Sequence, residues 1–117
     1  MLRLKTPPTL RVRGALSWGP RVAIVGTREA SADAMAYARK LARELSHAGV
    51  TIWSGGALGI DSAAHEGGLE GRGGTVVVLP SGLDRPFPDD NRDLFARVLA
   101  ADGAQVSGFE DDQLPTQ

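Results

Sequence analysis

The sequence predicts an α/β fold, a parallel sheet of about four to five strands with helices on both faces. Two observations carry that expectation. Short β-branched runs at Val22–Val25, Val50–Trp53 and Thr75–Leu79 alternate with longer stretches whose apolar residues recur every three or four positions. The strand-like runs are apolar almost throughout instead of alternating, which is how strands buried on both faces read.

Length and composition are compatible with this. The chain has 117 residues, which favours one domain, and a chain of that size buries a single core without cross-links. It contains no cysteine, which excludes disulfide scaffolds and thiolate metal sites and fits a reducing compartment. Neither a signal peptide nor an apolar run of membrane-spanning length is visible, so the sequence reads as a soluble, cytoplasmic protein. The expected organisation is an extended segment with a short strand over 1–20, the α/β domain over 21–109, and an acidic, disordered tail over 110–117.

Net charge is −1, so the chain as a whole exerts no pull on polyanions. The charge is unevenly spread. Arg3, Lys5, Arg11, Arg13, Arg21 and Arg28 meet no acid before Glu29, whereas Asp84, Asp89, Asp90, Asp93, Asp102, Glu110, Asp111 and Asp112 dominate the far end. A solvated acidic surface is the simplest account of that end.

Pro7 and Pro8 favour an extended entry. Leu10–Arg13 then alternates apolar and basic, a short strand with one wet face that Gly14 ends and that suits a sheet edge. Trp18, in the loop before Arg21, reads as a packing cover in preference to a base-stacking platform. Val22–Val25 is the first buried strand. The following helix has Ser31 as N-cap, an inward stripe of Ala34, Ala38, Leu41 and Leu45, and Gly49 just past its end. Arg39, Lys40, Arg43 and Glu44 form its solvated face.

Val50–Trp53 is the second strand. A helix begins near Leu58 with Ile60, Ala63 and Ala64 inward. Gly67, Gly68 and Gly71 weaken its far end, so it either stops near Glu66 or is compensated by close packing. Thr75–Leu79 is the third strand, and Pro80–Pro88 is a rigid loop of the length that often carries function. Asp89 or Asp90 caps a third helix with Leu94, Phe95, Val98 and Leu99 inward and Gly103 closing it. A last strand spans Ala104–Ser107.

Ligands in such sheets bind beyond the carboxyl ends of the strands. Three small-residue turns converge there: Gly26, Thr27, Arg28 and Ser31 after the first strand; Ser54, Gly55, Gly56, Ala57, Gly59 and Asp61 after the second; Ser81 and Gly82 after the third. Glycine turns expose backbone N–H groups, and a following helix N-terminus adds positive potential, so an anion pocket is expected. Arg28 pairs either with a phosphate or with Glu29 or Asp61. Asp61 and His65 are spaced i, i+4, so Asp61 either orients the His65 ring or caps the helix. For His65 a structural hydrogen bond is favoured over a ligand contact. No nucleophile with an adjacent base and no metal-ligand cluster appears, so neither catalysis nor a cofactor is expected.

These residues support a family resemblance. Val22–Arg28, Ser54–Asp61 with Ala64 and His65, and Val78–Leu79 leading to Ser81–Asp84 resemble the DNA-processing protein A family, DprA or Smf, over about residues 5–109. Pro7, Pro8, Gly14, Phe87, Pro88 and Asn91 fit the same pattern. The resemblance implies a Rossmann-like domain that binds single-stranded DNA, acts with a RecA-type recombinase in natural transformation, and works as a dimer without a catalytic step. Arg28 and the Ser54–Gly59 turn would hold backbone phosphates, with Ser81 and Gly82 lining the same pocket. This sequence departs from the pattern at Pro80, where glycine is usual, and at Gly108, where glutamate is usual. The family domain continues with further strands and a second motif, Phe-Pro-x-Arg-Asn-Arg, which these 117 residues lack. An open sheet edge is therefore expected, and with it a homodimer or a partner chain covering that edge. Two alternatives remain: a nucleotide-binding or nucleoside-monophosphate-hydrolysing relative, and a non-catalytic interaction module.

Overall fold

Five strands form one sheet in the order β1-β5-β4-β3-β2. The structure, a computed structural model, describes residues 9–115. Pro7, Pro8 and the last two residues of the expected tail lie outside the described residues. The strands are β1 (Arg11–Gly14), β2 (Arg21–Ala23), β3 (Thr51–Ser54), β4 (Thr75–Val78) and β5 (Ala104–Ser107), with helices α1 (Ala32–His47), α2 (Ile60–Leu69) and α3 (Arg92–Ala100). β2, β3, β4 and β5 are parallel, in registers such as Val22 opposite Ile52 and Val77 opposite Gln105. β1 closes the far edge antiparallel to β5, Val12 opposite Val106. The α/β, Rossmann-like class and the strand count are as the sequence leads one to expect.

The helical cover is one-sided, which corrects the expectation of helices on both faces. Ala42, Ile52 and Ala64 pack with Val22, Ile24 and Leu45, and Val77 packs with Leu79, Leu83, Phe95, Val98 and Leu69. All these strand residues lie on one face. Trp53, Val76, Ala104 and Val106 occupy the other with Leu16, and no helix among the described residues lies over them. The reason is topological. Successive β-α-β crossovers share one hand, and here each steps one strand further in the same direction, so all three helices fall on the same side. The step direction does not reverse among the described strands.

β2 is consequently an edge strand, not a strand covered on both faces. Val22 and Ile24 point into the helical core, while Ala23 and Val25 are exposed, Val25 by 69%. A continuous apolar run looks the same in sequence whether or not a second layer covers it.

The Ser31 hydroxyl caps α1 by accepting the Ala34 N–H at 3.1 Å, and Gly49 takes φ +91° just beyond it. The buried stripe is Ala38, Ala42 and Ser46; Ala34 and Leu41, expected inward, are exposed. Close approach to α2 explains this rotation. A Cβ at Gly67 would lie 2.2 Å from the Arg39 carbonyl oxygen and 2.8 Å from Ala42 Cβ, so the contact admits only small residues. α2 runs on to Leu69 because this packing offsets the glycines. α3 begins after a single 3-10 turn at Asp89–Asn91, and neither aspartate caps it. Leu94, Phe95 and Val98 are buried as expected. The left-handed residue at its end is Asp102, φ 62°, instead of Gly103.

The basic start and acidic end of the chain meet. Arg11 pairs with Glu110 at 2.9 Å and Asp111 at 3.6 Å, and Arg13 pairs with Asp84 at 2.7 Å. The acidic surface is thus partly paired, although exposed pairs of this kind contribute only about 0–1 kcal/mol each. The described part of the expected tail follows the loop after β4: the Gly82 N–H donates to the Gln113 carbonyl and the Asp84 N–H to the Asp111 carbonyl, both at 2.9 Å. Trp18 is not a packing cover. It is 85% exposed, with the Arg21 guanidinium 5.8 Å from its ring centroid and 5.9 Å from that of Trp53. Arg21, the first residue of β2, joins the two rings.

Candidate functional site

β2 and β3 deliver their glycine turns side by side. Gly56 and Gly59 take φ +75° and +84°, conformations that side chains disfavour. A Cβ at Gly59 would lie 2.4 Å from the Thr27 carbonyl oxygen and 2.7 Å from that of Arg28, so only glycine lets the second turn press against the first. The Ile60 N–H donates to the Thr27 carbonyl at 3.2 Å, and Ser54 Oγ donates to the Ile24 carbonyl at 2.5 Å. Together these contacts fix the loop that carries Arg28.

A carboxylate fills the centre of this arrangement. Asp61, in the first turn of α2 and almost wholly buried, accepts the N–H groups of Gly26 at 3.3 Å, Gly55 at 3.2 Å and Ala57 at 3.4 Å. Its position at a helix N-terminus is electrostatically favourable. The amides of Gly26, Gly55 and Ala57, which the sequence offers to a ligand, therefore donate to the protein's own anion. Those of Leu58 and Gly59 have no acceptor among the described residues.

Asp61 does not orient His65. His65 is fully buried, with Nδ1 2.7 Å from Thr75 Oγ1. The Thr75 hydroxyl donates its one proton to the Ile52 carbonyl, at 2.7 Å, so it accepts from the imidazole and places the ring proton on Nδ1. Nε2 is left bare and without a partner. Burial in this apolar setting pushes the His65 pKa down to about 4. A neutral, enclosed ring of this kind is a core hydrogen-bonding group.

The remaining expected residues divide between loop architecture and an open cleft. Thr27 Oγ1 accepts the Glu29 N–H, and Ser31 caps α1. Ser81 Oγ donates to the Arg85 carbonyl at 2.6 Å, and a Cβ at Gly82 would meet the Glu110 carbonyl oxygen at 2.0 Å. Neither Ser81 nor Gly82 lines the cleft that Arg28 lines. That cleft, of about 640 Å³, is walled by Arg28, Ala57, Leu58, Pro80, Phe87 and Asp90 among others. Arg28 is exposed and forms no ion pair with Glu29, Asp61 or any other described residue. A rigidly based guanidinium without an ion pair among the described residues, in one cleft with an exposed aromatic ring, suits an anion attached to a planar group.

Asn91 matters more than its place in a motif suggests. Its buried Nδ2 donates to the Gly56 carbonyl and to Ser62 Oγ, both at 2.8 Å, which ties the loop before α3 to the glycine turn. Only the Phe-Pro-Asp-Asp-Asn spacing hinted at this. Among the described residues no group of three or more potential metal ligands occurs, and no helix is long and apolar enough to cross a membrane.

Comparison with known proteins agrees with this architecture. The model of a family described as DNA recombination-mediator protein A matches residues 2–117. Protein Smf of Synechocystis is 41% identical over 109 residues, covering 88% of this chain and 27% of the relative. A putative DNA processing protein DprA of Mycobacterium tuberculosis is 45% identical over 80 residues, 68% of this chain and 21% of its own. The chain thus spans about a quarter of these relatives. Among solved structures, DNA processing protein A of Helicobacter pylori, described for its single-stranded DNA binding mode, superimposes with a TM-score of 0.85 at 35% identity, covering 97% of this chain and 53% of that one. The Streptococcus pneumoniae protein gives 0.80 at 32% identity, covering 92% and 38%.

Proposed function

Since the chain belongs to the DNA recombination-mediator protein A family, we propose that its cleft binds single-stranded DNA through the phosphate backbone. The observation that carries this reading is Arg28, exposed and without an ionic partner among the described residues, on a loop pinned by Gly59 and Asp61. Asp61 acts indirectly, holding the Gly26 and Gly55 turns together so that the guanidinium is presented to the cleft. The amides of Leu58 and Gly59, at the positive end of α2, supply further donors. Phe87, 43% exposed and lining the same cleft, offers a face on which any base can stack. Contacts of these kinds are tolerant of sequence.

The domain serves DNA uptake, natural transformation or recombination in the cytoplasm and performs no covalent chemistry of its own. It hands its strand to a RecA-type recombinase. The exposed β2 edge is covered by a second copy in a homodimer, which sedimentation velocity tests: a sedimentation coefficient that rises with concentration is expected, and one that stays monomeric throughout contradicts it. Fluorescence anisotropy with a labelled oligothymidylate tests the binding itself. Arg28→Ala is expected to weaken it about tenfold, the scale of one charge-assisted contact. An unchanged dissociation constant refutes the assignment.

A further inference from the structure

The groove continues past Phe87. A second cavity, of about 300 Å³, has Asp84, Arg85, Arg92 and Leu114 in its walls, and the two cavities share Phe87, Asp89 and Pro115. Phe87 is thus a wall common to both cavities.

The charges of this second compartment are unevenly committed. Asp84 is held by Arg13 at 2.7 Å, so its charge is countered from outside the groove. Asp89 meets Arg92 at 3.3 Å, with both side chains more than three-quarters exposed, a pair that contributes less than about 1 kcal/mol and yields readily to a stronger anion. Arg85 forms no ion pair among the described residues. Its main chain is nevertheless fixed, the N–H donating to the Gly82 carbonyl at 2.9 Å and the carbonyl accepting Ser81 Oγ. The outer wall at Leu114 and Pro115 is braced by the hydrogen bonds from Gly82 and Asp84 to Gln113 and Asp111. Two available guanidiniums thus line the second cavity, which shares Phe87 with the cavity that Arg28 lines.

We propose that Arg85 and Arg92 form a second phosphate subsite, which takes a phosphodiester of the same strand after it has passed Phe87. This inference rests on the single-strand reading above. It names the ligand class more narrowly as an oligonucleotide instead of a mononucleotide, because the cations line two separate cavities, Arg28 the first and Arg85 and Arg92 the second. Asp89 sits at the junction, where its carboxylate holds Arg92 back and repels the strand.

Anisotropy with oligothymidylates from dinucleotide length to about ten nucleotides separates the two subsites. The Arg85→Ala/Arg92→Ala variant is expected to bind the dinucleotide within about twofold of wild type, yet to lose about tenfold on the longer strand. Its slope of log K against log salt should flatten by about 1.4, the contribution of two single-strand phosphates. Lysine at both positions should restore the slope, which rules out simple misfolding. Asp89→Asn should tighten binding of the longer strand severalfold. If the double alanine variant binds long strands with wild-type affinity and slope while Arg28→Ala does not, the second subsite is wrong and the primary reading stands. If wild type binds no oligothymidylate, both fall.

Discussion

Asp61 accepts the N–H of Gly55 at 3.2 Å, and through the same carboxylate reaches Gly26 on the neighbouring turn. An internal anion thus occupies the glycine cradle and sets the shape of the loop that bears Arg28. Asp61→Ala is expected to destabilise the fold by at least about 1–3 kcal/mol, because it strands buried donors. It should also weaken oligothymidylate binding although Arg28 is untouched and a negative charge is lost. Asp61→Asn, which keeps an acceptor, should fall between. Tighter binding by the alanine variant would mean that the carboxylate merely repels the strand.

His65 makes stability depend on pH. Its folded pKa of about 4 lies below the ordinary value of 6.5, so the unfolded chain binds the extra proton. Its contribution is complete above pH 6.5 and is lost as pH falls towards 4, at up to about 1.4 kcal/mol per unit. Glu66, whose pKa is lowered chiefly by its hydrogen bond from Arg97, adds a loss of the same sign at lower pH. Urea midpoints measured between pH 7 and pH 5 should therefore fall, and His65→Gln should flatten most of that dependence.

Gly67→Ala should reverse the usual preference of helices for alanine. The added Cβ would stand 2.2 Å from the Arg39 carbonyl oxygen, forcing α1 and α2 apart at a cost of about 1–3 kcal/mol. Gly108→Ala has nothing within 4 Å of its new Cβ and should be close to neutral. Thermal melts of the pair check the contrast.

Asn91→Ala removes the donor to the Gly56 carbonyl and Ser62 Oγ, leaving buried acceptors unmet. A loss of about 1–3 kcal/mol is expected. Hydrogen exchange at the Gly55–Gly59 turn should quicken, because the loop before α3 no longer braces it.

The sequence carries the elements and the glycine turns because periodicity and turn chemistry are local. Ser31, Gly49, Gly56 and Gly59 could be placed from type and spacing alone. What it does not carry depends on partners distant in the chain. Leu41 falls in the apolar stripe that periodicity turns inward, yet Ala42 is the buried residue, because the approach of Gly67 admits only a small side chain there. Val22–Val25 reads as doubly covered because apolar content says nothing about layer count. The donors and acceptors of Ser54, Ser81 and His65 are spent on carbonyls and hydroxyls that spacing does not reveal. Asp61 is the instructive case. Its place beside the cradle was legible, its occupation of the cradle was not.

The central claim, that Arg28 holds a backbone phosphate, is tested most directly by the salt dependence of oligothymidylate binding. Wild type should show a linear fall of log K with log salt, and Arg28→Ala should weaken binding while flattening that slope by about 0.7, the contribution of one single-strand phosphate. A variant that keeps both the affinity and the slope of wild type would contradict the account.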